Sequence, residues 1–181
     1  MIGIYNYTVI LTYVGMLIGF IGITCTLKGK IHVALTCLVL CGICDMFDGK
    51  IASTKQRTRE EKLFGIQIDS LSDLVCFGVL PALIVYVFDT RGLSMFASAI
   101  YLLFALIRLA WFNVDESQRQ DKEEGRRKHY LGLPVTTAAF IFPIVMNIHQ
   151  GILAPYALIA MAIAFLTPFR VPKPTLSFKH E

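Results

Sequence analysis

Charge is what this sequence has least of. Asp, Glu, Lys and Arg make up only 17% of its 181 residues, against roughly 25% in a soluble globular domain. Mean hydropathy is +0.62. That balance excludes an ordinary water-soluble fold and points to a membrane protein. Low-complexity linkers and internal repeats are also missing. One domain over residues 1–181 is expected, because several apolar spans in one bilayer pack as a single bundle. The first stretch, MIGIYNYTVI, has no basic segment and is followed by no small-residue cleavage site. It reads as a retained span rather than a secretory signal. The 5 cysteines are an odd number inside apolar stretches, which argues against a disulfide framework. Cys41 and Cys44 form a CxxC with no His or second CxxC at zinc spacing, so the thiols read as packing residues.

What is present is apolar sequence in helix-sized lengths. A bilayer core of about 30 Å takes about 20 helical residues per span. Six such windows can be laid down, near 7–27, 31–50, 66–88, 93–113, 131–149 and 152–169. The expected fold is therefore all-α, a polytopic bundle of about six transmembrane helices. Pro134, Pro143, Pro155 and Pro168 punctuate the last two windows and set their ends and kinks. Cytoplasmic loops carry the excess of Lys and Arg. With both termini inside, thirteen basic residues fall on the inner side, and only Lys28, Lys30 and Arg91 fall outside. Arg108 is left within the fourth span. Basicity of this kind orients a membrane protein, and nucleic acid is not an expected partner.

The unusual residues sit where the second span ends and the third begins, on the cytoplasmic side of this arrangement. Asp45 and Asp48 are three apart and Asp69 and Asp73 four apart, so each pair shares one helix face. A helical hairpin brings the four carboxylates together. An unpaired carboxylate in the membrane costs about 2.5–3.5 kcal/mol on insertion scales, and four together also repel. No Lys or Arg is interleaved on these faces. Divalent cations such as Mg²⁺ or Mn²⁺ are the direct answer, and paired metals suit phosphoryl transfer. Gly49, Ala52 and Gly65 leave room for close helix approach or for a bulky ligand. Two other readings remain open on the residues alone: acids that merely cap helices at the interface, and an ion transporter built on intramembrane carboxylates.

These residues resemble the signature of the CDP-alcohol phosphotransferase family, DxxDGxxAR followed after a spacer by GxxxDxxxD. Asp45, Asp48, Gly49 and Ala52 match the first half; Gly65, Asp69 and Asp73 match the second. Ser53 stands where the family usually has Arg. The spacer Thr54–Phe64 is longer than usual and carries Lys55, Arg57 and Arg59, so Arg57 is the first candidate to replace that phosphate contact. RLAWFN, from Arg108 to Asn113, and Gly132-Leu133-Pro134 resemble segments of the family's phosphatidylserine-synthesising members.

The resemblance implies that the phosphatidyl group of CDP-diacylglycerol passes to the hydroxyl of L-serine with release of CMP. Two divalent cations would sit on Asp45, Asp48, Asp69 and Asp73, with Asp73 also the general base. It further implies Thr12 beside the nucleotide, Arg108 and Asn113 beside the serine, a homodimer, and a multi-pass protein of the cell membrane whose site faces the cytoplasm. The shared metal motif leaves the acceptor open among serine, glycerol 3-phosphate and inositol phosphate.

Overall fold

A computed structural model describes residues 3–52, 54, 57–121, 129–168 and 170–172. Helix α1 (Tyr7–Leu27) opens on Asn6, whose side chain accepts from the Thr8 amide at 3.1 Å, a cap that satisfies one of the free amides of the first turn. A tight turn through Gly29, at φ +72°, reverses the chain into α2 (Ile31–Ala52). Helix α3 (Arg59–Asp73) starts on a capping box in which the Thr58 side chain and Glu61 satisfy each other's amides. It runs through a π-helical turn, Leu74–Val79, into α4 (Leu80–Phe88). Asp89 then turns the chain: its carboxylate accepts from the Arg91 guanidinium at 2.8 and 2.9 Å and from the Ser94 hydroxyl at 2.7 Å. The guanidinium beside it holds this carboxyl well below the usual carboxylate range. Helix α5 (Gly92–Asp121) follows.

Four rods are long and apolar enough to cross a membrane: Tyr7–Leu27, Ile31–Ala52, Arg59–Phe88 and Gly92–Arg119. Their outward faces carry Leu17, Phe20, Leu103 and similar side chains in the open, as lipid requires and water does not. The chain is a multi-pass helical membrane protein.

The last two windows form shorter helices than the expected spans. Helices α6 (Ala138–Asn147) and α7 (Ala154–Leu166) have 10 and 13 residues. At 1.5 Å per residue even α7 covers only about 20 Å of a core about 30 Å thick. Proline and glycine set the limits. Pro134 caps the 3₁₀ turn that leads into α6, Pro155 begins α7, and Gly132 and Gly151 take φ of +77° and +76° in the connections. A two-stranded ribbon, β1 (His129–Leu131) antiparallel to β2 (Arg170–Pro172), is the one departure from an all-helical chain among the described residues.

Close packing depends on a glycine stripe. Gly15, Gly19 and Gly22 of α1 face Cys44, Cys76 and Leu80 so tightly that an added Cβ would lie 2.6–3.3 Å from them. Gly42 of α2 meets Ala139 of α6 in the same way, at 2.5 Å. Small residues at such crossings let helix backbones approach where no hydrophobic drive separates protein from lipid. On the other side of the bundle Tyr101 of α5 is fully buried between Phe142 and Phe165, with ring centroids 6.0 and 5.4 Å away.

Candidate active site

Antiparallel packing of α1, α2 and the α3–α4 rod places the last third of α2 beside α3 at one end of the bundle. Asp45, Asp48 and Asp69 each bring one carboxylate oxygen within 4.8 Å of the others. With an effective dielectric of about 20, charges at that separation repel by roughly 3 kcal/mol per pair. Part of the cost is met locally, since the buried Thr12 hydroxyl donates to Asp48 Oδ2 over 3.4 Å. The remainder shows at Asp69, whose Oδ1 is buried with no hydrogen-bond partner among the described residues. A buried carboxylate oxygen left without a donor is costly. Oxygen-only donors from three carboxylates, one of them orphaned, fit a hard divalent cation.

Two cavities meet at these acids. The first, about 210 Å³, lies against α1 and is lined by Thr12, Gly15, Cys41, Cys44, Ser72 and Cys76 together with the four aspartates. The second, about 510 Å³, opens towards α5 and the start of α6, where Arg108, Leu109, Phe112, Pro134, Val135 and Thr136 line it. Asp45, Asp69 and Asp73 border both. The carboxylates therefore form a wall with a chamber on either side. Arg108 is buried, 7% exposed, and its Nε also donates to the Leu133 carbonyl at 3.4 Å. The absence of a basic residue on the aspartate faces holds for α2 and α3, but the tertiary fold brings one in from α5.

The other expected contacts are placed as follows. Asp73 borders both cavities one turn beyond Asp69. Arg57 lays its guanidinium over Gly65, where an added Cβ would come 3.1 Å from Nη1. Gly49 is exposed with open space around it, and Ala52 ends α2 partly buried. Asn113 lines neither cavity; it accepts from the Ser70 hydroxyl and donates to Gln67 Oε1 at 3.3 Å, tying α5 to α3. Ser53 and Lys55 lie outside the described residues. Three thiols, Cys41, Cys44 and Cys76, line the first cavity rather than serving only as packing. Gly15, on the same wall, was missed by the sequence reading; its near-helical spacing with Gly19 and Gly22 is the signal that could have found it. Phe112 lies within the RLAWFN segment already singled out, whereas Thr136 carried no signal in the sequence.

Membrane-crossing helices around a carboxylate cluster with cavities on both sides define a multi-pass membrane protein with a site able to bind divalent metal. The sequence profile of the CDP-alcohol phosphatidyltransferase family matches residues 5–169, and the chain belongs to that family. It is 36% identical over 159 residues to a CDP-diacylglycerol–serine O-phosphatidyltransferase of Saccharomyces cerevisiae, covering 78% of this chain and 55% of the relative. Identity to an archaetidylserine synthase of Methanothermobacter thermautotrophicus is 26% over 159 residues, 86% of this chain and 64% of the relative. A CDP-diacylglycerol–serine O-phosphatidyltransferase of Bacillus subtilis is 23% identical over 171 residues, 92% of this chain and 90% of the relative. The chain thus spans between 55% and 64% of the length of the first two relatives.

Proposed function

We propose that this chain transfers the phosphatidyl group of CDP-diacylglycerol to the hydroxyl of L-serine, releasing CMP. The observation that carries the reading is the wall of carboxylates with an orphaned Asp69 oxygen, bordered by a second cavity that also holds a buried arginine. Serine-using relatives supply the acceptor.

Asp45, Asp48 and Asp69 would hold two divalent cations, Mg²⁺ or Mn²⁺, with Asp73 as a further ligand. When bound, such ions neutralise the diphosphate and the charge that develops on the leaving phosphate. Thr12 keeps Asp48 oriented towards the first cavity. Asp73, bordering both chambers, takes the proton of the serine hydroxyl as that oxygen bonds to the phosphorus bearing the diacylglycerol, and the bond from that phosphorus to CMP breaks. Its effectiveness as a base rests on proximity to the hydroxyl. Arg108 offers a planar pair of donors to the serine carboxylate, and Leu109, Phe112 and Val135 line the same chamber with apolar surface. Arg57, resting on Gly65, reaches towards the diphosphate.

The distribution of Lys and Arg supports a site on the cytoplasmic side of the cell membrane, where soluble serine meets a lipid. A homodimer, as the resemblance implies, belongs to the same reading, and crosslinking in native membranes tests it.

The decisive assay offers purified protein CDP-diacylglycerol with Mn²⁺ or Mg²⁺ and each acceptor in turn, measuring CMP release. Serine is expected to be used, and Asn at Asp45, Asp48, Asp69 or Asp73 to abolish release while the protein still inserts. Full activity in EDTA or in any one variant overturns the metal reading. Preference for glycerol 3-phosphate or inositol phosphate overturns the acceptor, and ion flux in liposomes without consumption of the nucleotide lipid restores the transporter.

A further inference from the structure

The rod that carries Asp69 and Asp73 changes pitch directly after Asp73. Over Leu74–Val79 it is π-helical, and the Leu80 amide returns to the Val75 carbonyl five residues back. Pro81 supplies the cause: it has no N–H to give, and its ring crowds the carbonyl four residues earlier, that of Phe77. Phe77 and Pro81 are both buried, so water is not at hand to replace the lost donor. A carbonyl left in that position is costly.

Its donor comes from another helix. The Tyr101 hydroxyl of α5 donates to the Phe77 carbonyl at 2.5 Å. The Tyr101 ring is 0% exposed and held by Phe142 and Phe165, so the hydroxyl is fixed in direction and has no competing solvent.

The underwound turn has a geometric consequence. One residue accommodated in a π turn rotates the helix beyond it by about 100° relative to a regular α-helix. That rotation lets one continuous rod turn Asp69 and Asp73 towards α2 while Leu80 and Ile84, both 0% exposed, fill the core below. Without it, either the acids or the apolar residues would face the wrong way.

We propose that Tyr101 is a positioning residue for the carboxylate site: its hydroxyl takes the place of the donor that Pro81 removes, holds the π turn, and so sets the rotation of Asp69 and Asp73 against Asp45 and Asp48. The assignment rests on the metal-binding part of the functional reading and not on which acceptor is used.

Tyr101→Phe removes the donor and keeps the ring. In the detergent-purified full chain, Mn²⁺ binding followed by electron paramagnetic resonance is expected to weaken by about tenfold or more. At saturating Mn²⁺, kcat for CMP release is expected to fall by a similar factor, with KM for CDP-diacylglycerol changed by less than about twofold. A residue that merely fills the core would lower the unfolding temperature without this split. The second arm is a double-mutant cycle with Pro81→Ala, which restores an amide able to reach the Phe77 carbonyl; there, adding Tyr101→Phe should change Mn²⁺ affinity by less than about twofold. Unchanged Mn²⁺ affinity in the single variant, or the same loss in both backgrounds, overturns the proposal. If Tyr101→Phe alone does not fold, a folded double variant with the Mn²⁺ affinity of Pro81→Ala supports it, and an unfolded double variant refutes it. Should the wild type bind Mn²⁺ but release no CMP with serine, the acceptor reading fails while the Mn²⁺ titrations still decide the role of Tyr101.

Discussion

Replacing Gly19 by alanine probes how far the site depends on the approach of α1 to the rod behind it. The new Cβ would lie 2.6 Å from the Cys76 sulfur and 3.7 Å from that of Cys41. Ordinary contacts between such atoms lie at about 3.5–4.0 Å, so the Cys76 side of the crossing must retreat by about 1 Å. Both sulfurs are pinned, since Cys41 and Cys76 each reach the Gly15 carbonyl, at 3.3 and 3.5 Å, and the neighbouring backbone is held by the π turn. Overpacking of this kind costs about 1–3 kcal/mol. Cys76 follows Asp73 by less than one turn, so a retreat of the rod also carries Asp73 away from Asp45. A displacement near 1 Å at reacting groups costs about 10²-fold in rate. Gly19→Ala is therefore expected to lower the unfolding temperature in detergent by several degrees and to cut CMP release by one to two orders of magnitude. Cys76→Ala removes the obstructing sulfur, so the Gly19→Ala/Cys76→Ala pair should recover most of both losses. Wild-type stability and activity in Gly19→Ala, or a double variant no better than the single, would refute the account.

Three further outcomes are expected. Arg108→Lys keeps the charge but loses the planar fork, so KM for serine should rise by about tenfold while KM for CDP-diacylglycerol stays within about twofold; steady-state kinetics varying each substrate checks it, and an unchanged serine KM removes Arg108 from the acceptor site. Arg57→Ala should raise KM for the nucleotide lipid and leave that for serine alone, whereas unaltered kinetics would leave Arg57 a purely structural neighbour of Gly65. In a background lacking the native cysteines, Glu60→Cys should react with an impermeant thiol reagent only from the cytoplasmic side and Thr90→Cys only from outside; labelling of position 60 from outside reverses the orientation and the access of cytosolic serine.

Several features were legible because they depend on local periodicity alone. Four of the six expected windows became full-length rods, since apolar composition over about 20 residues leaves a chain in lipid little choice but to satisfy its own amides as a helix. The pairing of Asp45 with Asp48 and of Asp69 with Asp73 followed from helical spacing. The last two windows were overestimated because composition counts apolar residues without counting the prolines and positive-φ glycines that end α6 and α7. The ribbon between His129–Leu131 and Arg170–Pro172 escaped notice, since three-residue strands have no period to detect. Asn113, which the resemblance places beside the serine, bonds Ser70 and Gln67 across the α3–α5 crossing, a pairing that no local pattern announces.

By itself, then, the sequence determined that the chain lives in a membrane, which residues carry negative charge into it, and which faces of two helices they occupy, because these are properties of neighbours within a few residues. Only the tertiary structure decided what stands opposite those faces. It brought Arg108 from a helix some forty residues away to the chamber beside the carboxylates, sent the Thr12 hydroxyl to Asp48 rather than to its own backbone, and left Asp69 Oδ1 without a donor. It also joined the Tyr101 hydroxyl of α5 to the Phe77 carbonyl in the π turn. Each of these is a contact between distant segments, set by how tightly small residues let the helices approach, and no local pattern in the chain records it.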